Sequence, residues 1–158
     1  MILKLIYTVF LALLIALFVG LGIDAFYTGP VAPDYPAELN LQKTDCGNYE
    51  QLKTTQEKFD RDQKDFMEKS KIYNRNVAII SLISAIIILI ASLSFLAKIK
   101  MIADGILLGG VFTTAYSIIR GLISEDAKSR FLIVTAGLII ALVLGYIKFL
   151  RPKENSKN

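Results

Sequence analysis

Four long runs of uncharged, apolar residues constrain the fold of this chain more than any other feature. They lie at Leu5–Ile23, Val77–Ala97, Gly105–Ile119 and Phe131–Ile147, and the segments between them carry nearly all of the charge. A helix needs about 20 residues to cross roughly 30 Å of hydrocarbon. The second run meets this length and the first nearly does. The two shorter runs are flanked by apolar turns, and these turns or a change in helix tilt make up the difference. With 54% hydrophobic residues, the chain is therefore not an ordinary soluble domain.

From these runs we predict an all-α membrane protein with four transmembrane helices in an antiparallel bundle. The second helix is expected to extend outside the membrane as a long stalk. The predicted segments are a transmembrane helix at residues 1–25, an external proline-containing strap at 26–47, an external stalk at 48–75, three more transmembrane helices at 76–98, 102–123 and 125–150, and a cytoplasmic tail at 151–158. A signal peptide is the competing interpretation of the first run, but its 19 residues exceed a usual signal-peptide core and favour a retained helix.

The strap contains prolines spaced three residues apart. Pro30, Pro33 and Pro36 match the three-residue turn of polyproline II, and Tyr27 and Tyr35 lie beside them. This pattern is typical of a docking strip for an aromatic-lined partner or of a stiff connection that packs on its own chain. We favour the second interpretation.

The stalk is predicted to be one helix that continues into the second membrane run. Between Asn48 and Gly105 there is no Gly or Pro, and Asn48 with Gln51 resembles a capping box. Apolar residues recur every seven positions, which keeps them on nearly one line, at Leu52, Phe59, Phe66 and Tyr73. The companion positions of a coiled-coil seam are polar. We therefore expect the strap, or else another subunit or partner, to cover this apolar stripe.

Small residues at four-residue spacing mark three of the membrane helices. They are Thr8, Ala12, Ala16 and Gly20 on the first, Gly105, Gly109, Thr113, Ser117 and Gly121 on the third, and Gly137, Ala141 and Gly145 on the fourth. Inside lipid, helices associate through close backbone approach and polar bridges. We predict that these residues pack the helices of one chain together, with contacts between copies as the alternative.

Charged residues near the ends of the third helix are candidate functional groups. Asp104 is either a proton or cation site or, as we favour, a cap at the interface close to Lys98 and Lys100. Arg120 either binds an anionic lipid or substrate or extends to the headgroups, which is the simpler interpretation, and Asp24 is a candidate partner for it. Together with Thr113, Asp104 and Arg120 define a possible solute pathway.

Hydroxyl groups make the middle of the third helix its most polar stretch, at Thr113, Thr114, Tyr116 and Ser117. They either line a narrow pathway or, as we favour, bond within and between helices. For the fourth helix, Ser124 is the predicted N-cap, with Glu125 and Asp126 in the first turn, and Pro152 is its predicted end.

The sequence offers little for catalysis. It contains no His and a single Cys, which excludes Ser–His and Cys–His pairs, and we find no phosphate-binding glycine loop or metal-ligand spacing. We expect no enzymatic activity, no cofactor and no nucleic-acid partner. The expected partners are the lipid bilayer and either another protein or further copies of the chain.

Basic residues concentrate on the predicted side of the two termini, at Lys4, Lys98, Lys100, Lys148, Arg151, Lys153 and Lys157, where Glu154 is the opposing acid. The positive-inside rule places this side in the cytoplasm and the loop 26–75 outside, although basic residues beside the second helix weaken the contrast. The Ile- and Lys-rich composition is compatible with an AT-rich bacterial genome, and we expect the membrane to be the bacterial cytoplasmic membrane.

One segment resembles a known pattern. Gly20-Leu-Gly-Ile-Asp-Ala-Phe-Tyr, followed by prolines and Asp34-Tyr35-Pro36, is similar to small uncharacterised bacterial four-span membrane proteins. The resemblance covers residues 5–38 and implies a bacterial membrane protein, with no activity or site residues attached to it.

Two functions are compatible with these features. The first is a non-enzymatic membrane scaffold or assembly protein that binds a partner or its own copies, for which the candidate residues are Leu52, Phe59, Phe66, Tyr73, Tyr27 and Tyr35. The second is a subunit of a small oligomeric channel or transporter lined by the third membrane helix. We favour the scaffold, because the residues predicted to lie outside the membrane are concentrated in one segment, 26–75.

Overall fold

A computed structural model describes residues 2–37, 49–95, 100–124 and 126–147 of the chain. Within these ranges the regular structure is entirely helical, and the helices are α1 (Ile2–Phe26), α2 (Tyr49–Phe95), α3 (Lys100–Ile123) and α4 (Ala127–Gly145). All four are long and apolar enough to cross a membrane. The predicted helical class with four candidate spans is confirmed. The predicted features at Asn48, Lys98 and Pro152 lie outside the described residues.

The longest element, α2, runs for 47 residues without a break. It contains no Gly or Pro, the residues that most often interrupt or kink a helix. At 1.5 Å per residue the helix is about 70 Å long, which is more than twice the roughly 30 Å of a hydrocarbon core. Its first half, up to Arg75, is rich in charge, whereas the part that begins at Val77 is apolar. One helix therefore combines a polar half with a membrane-length half.

The central element is α3, which packs against each of the other three helices. Two buried hydroxyl groups join it to α2: Ser92 donates to the carbonyl oxygen of Ala103 at 2.8 Å, and Ser117 donates to that of Ala78 at 2.7 Å. Because the residue numbers rise on one helix as they fall on the other, α2 and α3 run in opposite directions.

The contact between α1 and α3 depends on glycine. A Cβ atom placed on Gly105 would lie 2.7 Å from Leu11, and one placed on Gly109 would lie 2.9 Å from Ile15. These distances are shorter than van der Waals contact, so the side chains of α1 lie directly on the backbone of α3. The order of the contacts shows that α1 and α3 run in the same direction.

The last helix, α4, packs on α3 in the opposite direction. Ile133 lies against Gly121, and Ile118 lies against Gly137. Among the residues that the structure describes, α4 makes no packing contact with α1. The outer faces of both helices are lined by exposed apolar side chains, as expected of helices that face lipid.

The N-cap of α4 is Asp126, so the prediction of Ser124 is wrong. The hydroxyl group of Ser124 donates to the carbonyl oxygen of Gly121 at 2.7 Å and is used at the end of α3. The carboxylate of Asp126 instead accepts from the hydroxyl group of Ser129 and from the backbone N–H of Lys128. The Ser129 bond, followed by the Lys128 bond, holds the pKa of Asp126 below its ordinary value of 3.8.

Candidate functional site

The described part of the strap, which ends at residue 37, lies along the polar half of α2. The rings of Tyr27 and Tyr73 stack with their centroids 5.3 Å apart, and Tyr35 meets Phe59 edge-to-face, also at 5.3 Å. The chain passes close to Tyr73 at Gly29, where an added Cβ would lie 3.2 Å from the tyrosine ring. Since the contacts occur in opposite order on the two segments, the strap runs antiparallel to α2.

Burial repeats every third residue in the strap. Pro30, Pro33 and Pro36 are half-buried, and the residues between them are exposed. On α2, the half-buried positions alternate at three- and four-residue spacing, and they are Leu52, Thr55, Phe59, Gln63, Phe66, Ser70 and Tyr73. All four members of the apolar stripe belong to this set. Strap residues of the same chain contact two of them, Phe59 and Tyr73.

Arg120 joins α3 to this strap–stalk contact. Its Nη1 donates to Oδ1 of Asn74 at 2.9 Å, and its Nε donates to the hydroxyl group of Tyr116 at 3.0 Å. The guanidinium carbon also lies 5.8 Å from the ring centroid of Tyr73 and 5.5 Å from that of Tyr116, within the range of cation–π attraction. Tyr73 therefore has Arg120 on one side and stacks with Tyr27 of the strap.

Two asparagine side chains complete this group of residues. Asn74 is buried, and its amide nitrogen donates to the backbone oxygen of Ser70 at 2.8 Å. Asn76 donates to the hydroxyl group of Tyr27 at 2.8 Å, across 49 residues of sequence. We call the whole group the arginine cluster, and it consists of Tyr27, Tyr73, Asn74, Asn76, Tyr116 and Arg120.

The arginine cluster was only partly visible in the sequence. Arg120, Tyr27 and Tyr73 were candidates, whereas Asn74 and Asn76 were missed. Their position just before the apolar run that begins at Val77 could have indicated them. An amide side chain next to an apolar segment needs a hydrogen-bond partner within the protein. Asp24, the candidate partner of Arg120, is exposed, and the hydrogen bonds of Arg120 go to an amide and a phenol.

Three hydroxyl groups in the middle of α3 bond to backbone, two within the helix and one across to α2. Thr113 and Thr114 each donate to the carbonyl oxygen four residues earlier, both at 2.9 Å, and Ser117 donates across to α2. All three side chains are buried, and Thr113 is only 1% exposed. These three hydroxyl groups therefore donate to backbone oxygens within the protein.

The small-residue stripes are divided between packed and open positions. Ala12, Gly105, Gly109, Thr113, Ser117, Gly121 and Gly137 are buried, and Thr8 and Ala16 are half-buried. Around Gly20 and Gly145 there is open space where a Cβ would lie, and Ala141 is exposed. A further stripe, missed in the sequence, lies on α2, where Ala78, Ala85 and Ser92 are buried and recur every seven residues.

Asp104 lies in the second turn of α3, which begins at Lys100, so the prediction that it caps this helix is wrong. It lines a cleft of about 540 Å³ between the N-terminal ends of α1 and α3. Lys4 and Thr8 of α1 line the same cleft, together with Lys100. Acidic, basic and hydroxyl side chains thus meet at this end of the helices, opposite the arginine cluster.

Within the described part of the chain, no group of three or more His, Cys, Asp or Glu side chains is placed to hold a metal ion. Comparisons with protein-family models, with curated proteins and with solved structures give no match.

Proposed function

We propose that this chain is a non-enzymatic integral membrane scaffold or assembly protein. Its four helices cross the membrane as an antiparallel bundle, with both termini in the cytoplasm. The polar half of α2 stands outside the membrane as a stalk and carries the strap. Strap and stalk together bind a partner protein or further copies of the chain. The excess of basic residues beside the termini supports this orientation in a bacterial cytoplasmic membrane.

The observation that carries the proposal is the attachment of the strap to a helix that continues into the membrane. Ring contacts at Tyr73 and Phe59 hold the strap on α2, and the arginine cluster links Tyr27 to α3 through residues of α2. This arrangement leaves large side chains facing outward: Val31 is 90% exposed and Tyr35 is 57% exposed. A stiffly held strip with exposed tyrosine and aliphatic groups is typical of a protein-binding surface.

The proposal can be tested by extracting the tagged chain from its native membrane and measuring the mass of the complex by native mass spectrometry. We expect a complex heavier than the single chain. The double variant Val31→Ser, Tyr35→Ser should reduce it to the single chain while helix content is unchanged. The control variant Lys53→Ser, Lys58→Ser changes exposed polar positions on the stalk and should retain the complex.

A second variant tests the face of α2 beneath the strap, because Tyr35 belongs both to the exposed surface and to the contact with Phe59. Replacing Phe59 and Phe66 with Ser removes the apolar stripe beneath the strap, so association should be lost although the helices still insert. If both double variants assemble like the natural chain, the strap and stalk are not the binding surface. A single-chain mass for the natural protein would overturn the scaffold proposal.

The alternative function, a small oligomeric channel or transporter subunit lined by α3, has weaker support. Its candidate pathway residues include Thr113, whose hydroxyl group is buried and bonded within its own helix. Ion flux into liposomes that contain the purified chain, abolished by Thr113→Val and Asp104→Asn, would favour this alternative.

A further inference from the structure

The cleft between α1 and α3 brings charged side chains of both helices together at the cytoplasmic end of the proposed bundle. Because the two helices run in the same direction, their N-terminal ends lie on the same side of the protein, and the 540 Å³ cleft opens between them. Lys4 and Lys100, both exposed, bring ammonium groups from the two helices to one place, and Asp104 contributes a carboxylate. Two ammonium groups and one carboxylate leave one net positive charge.

An apolar cleft of about 580 Å³ adjoins the charged one. Lys4 and Met101 line both clefts, and the remaining lining of the second is Leu3, Ile6, Tyr7 and Phe10. These side chains lie on the exposed face of α1, with Leu3 79% exposed and Phe10 59% exposed. From residue 3 to residue 10 the helix rises about 10 Å, in the direction of the membrane interior.

A ligand for this pair of clefts needs an anionic end and an apolar end. A phosphodiester headgroup carries a single negative charge, which matches the net charge of the first cleft. Lysine ammonium groups contact phosphate oxygens as point charges, and basic pockets between membrane helices on the cytoplasmic side hold lipid headgroups. An acyl chain attached to that headgroup would continue along the apolar cleft.

We propose that these joined clefts bind one anionic phospholipid of the inner leaflet. Its phosphodiester lies between Lys4 and Lys100, and one acyl chain lies along Leu3, Ile6 and Phe10. This inference depends on the membrane orientation in the proposed function and is independent of the strap and its partner. Lipid retention and complex formation are separate readouts, so the failure of either proposal is recognisable without the other.

The test uses the full chain, purified in detergent and freed of native lipid, with native mass spectrometry as the readout. Phosphatidylglycerol, phosphatidylcholine with identical acyl chains, and inorganic phosphate are added in turn. We expect one tightly retained phosphatidylglycerol per chain, weaker retention of phosphatidylcholine, and no retained phosphate. Each lysine near an anionic headgroup contributes about fivefold in affinity, so Lys4→Gln with Lys100→Gln should weaken phosphatidylglycerol binding by roughly thirtyfold.

Two further double variants serve as controls. The first tests whether substitution in the cleft disrupts folding, and the second tests whether loss of charge far from the cleft affects binding. Lys4→Arg with Lys100→Arg keeps both charges and should retain the lipid. Lys53→Gln with Lys64→Gln removes two exposed lysines from the distant half of α2 and should also retain it. Equal retention of the two lipids by the natural chain, unchanged binding by the double Gln variant, or binding of inorganic phosphate with lipid-like strength would each overturn the proposal.

Discussion

Among the residues that the structure describes, the side chains that accept hydrogen bonds from Arg120 are an amide and a phenol, and neither carries a charge. The role of Arg120 depends on shape as much as on charge, because a planar guanidinium can donate in two directions while it lies against aromatic rings. Asn74 and Tyr116 accept from two different nitrogens, and the Tyr73 ring lies beside the plane. A lysine ammonium group at this position would carry the same charge without this geometry.

We therefore predict that Arg120→Lys loosens the strap although the charge is kept. Loss of one charged hydrogen bond and of the ring contacts should lower stability by about 1–2 kcal/mol. Hydrogen exchange over residues 27–37 should become faster. Arg61→Lys is the matched control, since Nε of Arg61 bonds to the carbonyl oxygen of Glu57 on its own helix. Equal exchange in Arg120→Lys and the natural chain would show that the cluster does not hold the strap.

Asp126 makes the stability of the chain sensitive to acid. Its pKa is lower in the folded chain than in the unfolded chain, chiefly because the hydroxyl group of Ser129 donates to the carboxylate. A lowered pKa contributes stability that is present above about pH 4 and is lost as the pH falls through the folded value. We predict that Asp126→Asn, which keeps a capping oxygen but cannot titrate in this range, loses less thermal stability between pH 6 and pH 3 than the natural chain.

Ser129→Ala provides the complementary measurement. Without the Ser129 hydroxyl group, the pKa of Asp126 should move back towards its ordinary value, and the acid-dependent loss should become smaller. Thermal midpoints followed by circular dichroism in one detergent give the comparison. Parallel pH profiles for the natural chain and both variants would contradict the assignment.

At the scale of helices, packing depends on which glycines face a neighbour. We predict that Gly109→Ala destabilises the protein by roughly 1–3 kcal/mol, because the new Cβ would lie 2.9 Å from Cβ of Ile15, an atom fixed close to its own backbone. Gly20→Ala introduces the same methyl group into open space and should leave stability unchanged or slightly raised. Unfolding by a denaturing detergent compares the two, and equal loss in both would refute the α1–α3 contact.

A similar pair of variants tests the polar bridge between α2 and α3. Ser117 donates to Ala78 on the other helix, whereas Ser81, equally buried, donates to Val77 on its own helix. Ser117→Ala should cost about 0.6 kcal/mol, the average for such bonds in membrane proteins, and Ser81→Ala should cost less. A larger loss for Ser81→Ala in the same unfolding assay would contradict the bridge.

The sequence predicted which segments form helices better than it predicted the residues at which those helices begin and end. Apolar runs fix where helices form, and the absence of Gly and Pro explains why α2 is continuous. The ends depend on competition among nearby polar groups: the hydroxyl group of Ser124 is used by α3, so Asp126 caps α4 instead. Likewise, α3 begins at Lys100, ahead of the predicted cap at Asp104.

For the whole molecule, long-range contacts are what the sequence could not supply. A seven-residue stripe shows that a face of α2 is apolar, but not that Tyr27 and Tyr35 cover part of it. Small-residue spacing marks three helices equally, yet Gly109 is packed while Gly20 and Gly145 are open. Which residues meet depends on the relative positions of whole helices, which no local pattern contains.

The proposed orientation gives a direct prediction for labelling in intact cells. With Cys46 replaced by Ser, a single cysteine at Lys64 should react with a membrane-impermeant maleimide, whereas one at Lys4 should react only after the membrane is opened. Both positions are exposed in the structure, so access is decided by the side of the membrane. Labelling of the Lys4 position alone in intact cells would reverse the orientation.

The unbroken course of α2 also has a mechanical consequence. In the proposed orientation, the polar half has no Gly or Pro at which to bend, so it is a stiff rod that tilts about the membrane surface. Its roughly 40 Å length means that a 10° change in the tilt of the bundle swings the far end sideways by about 7 Å. A small tilt caused by a change in bilayer thickness or in helix packing would therefore move a partner bound at the N-terminal end of α2 by several ångströms.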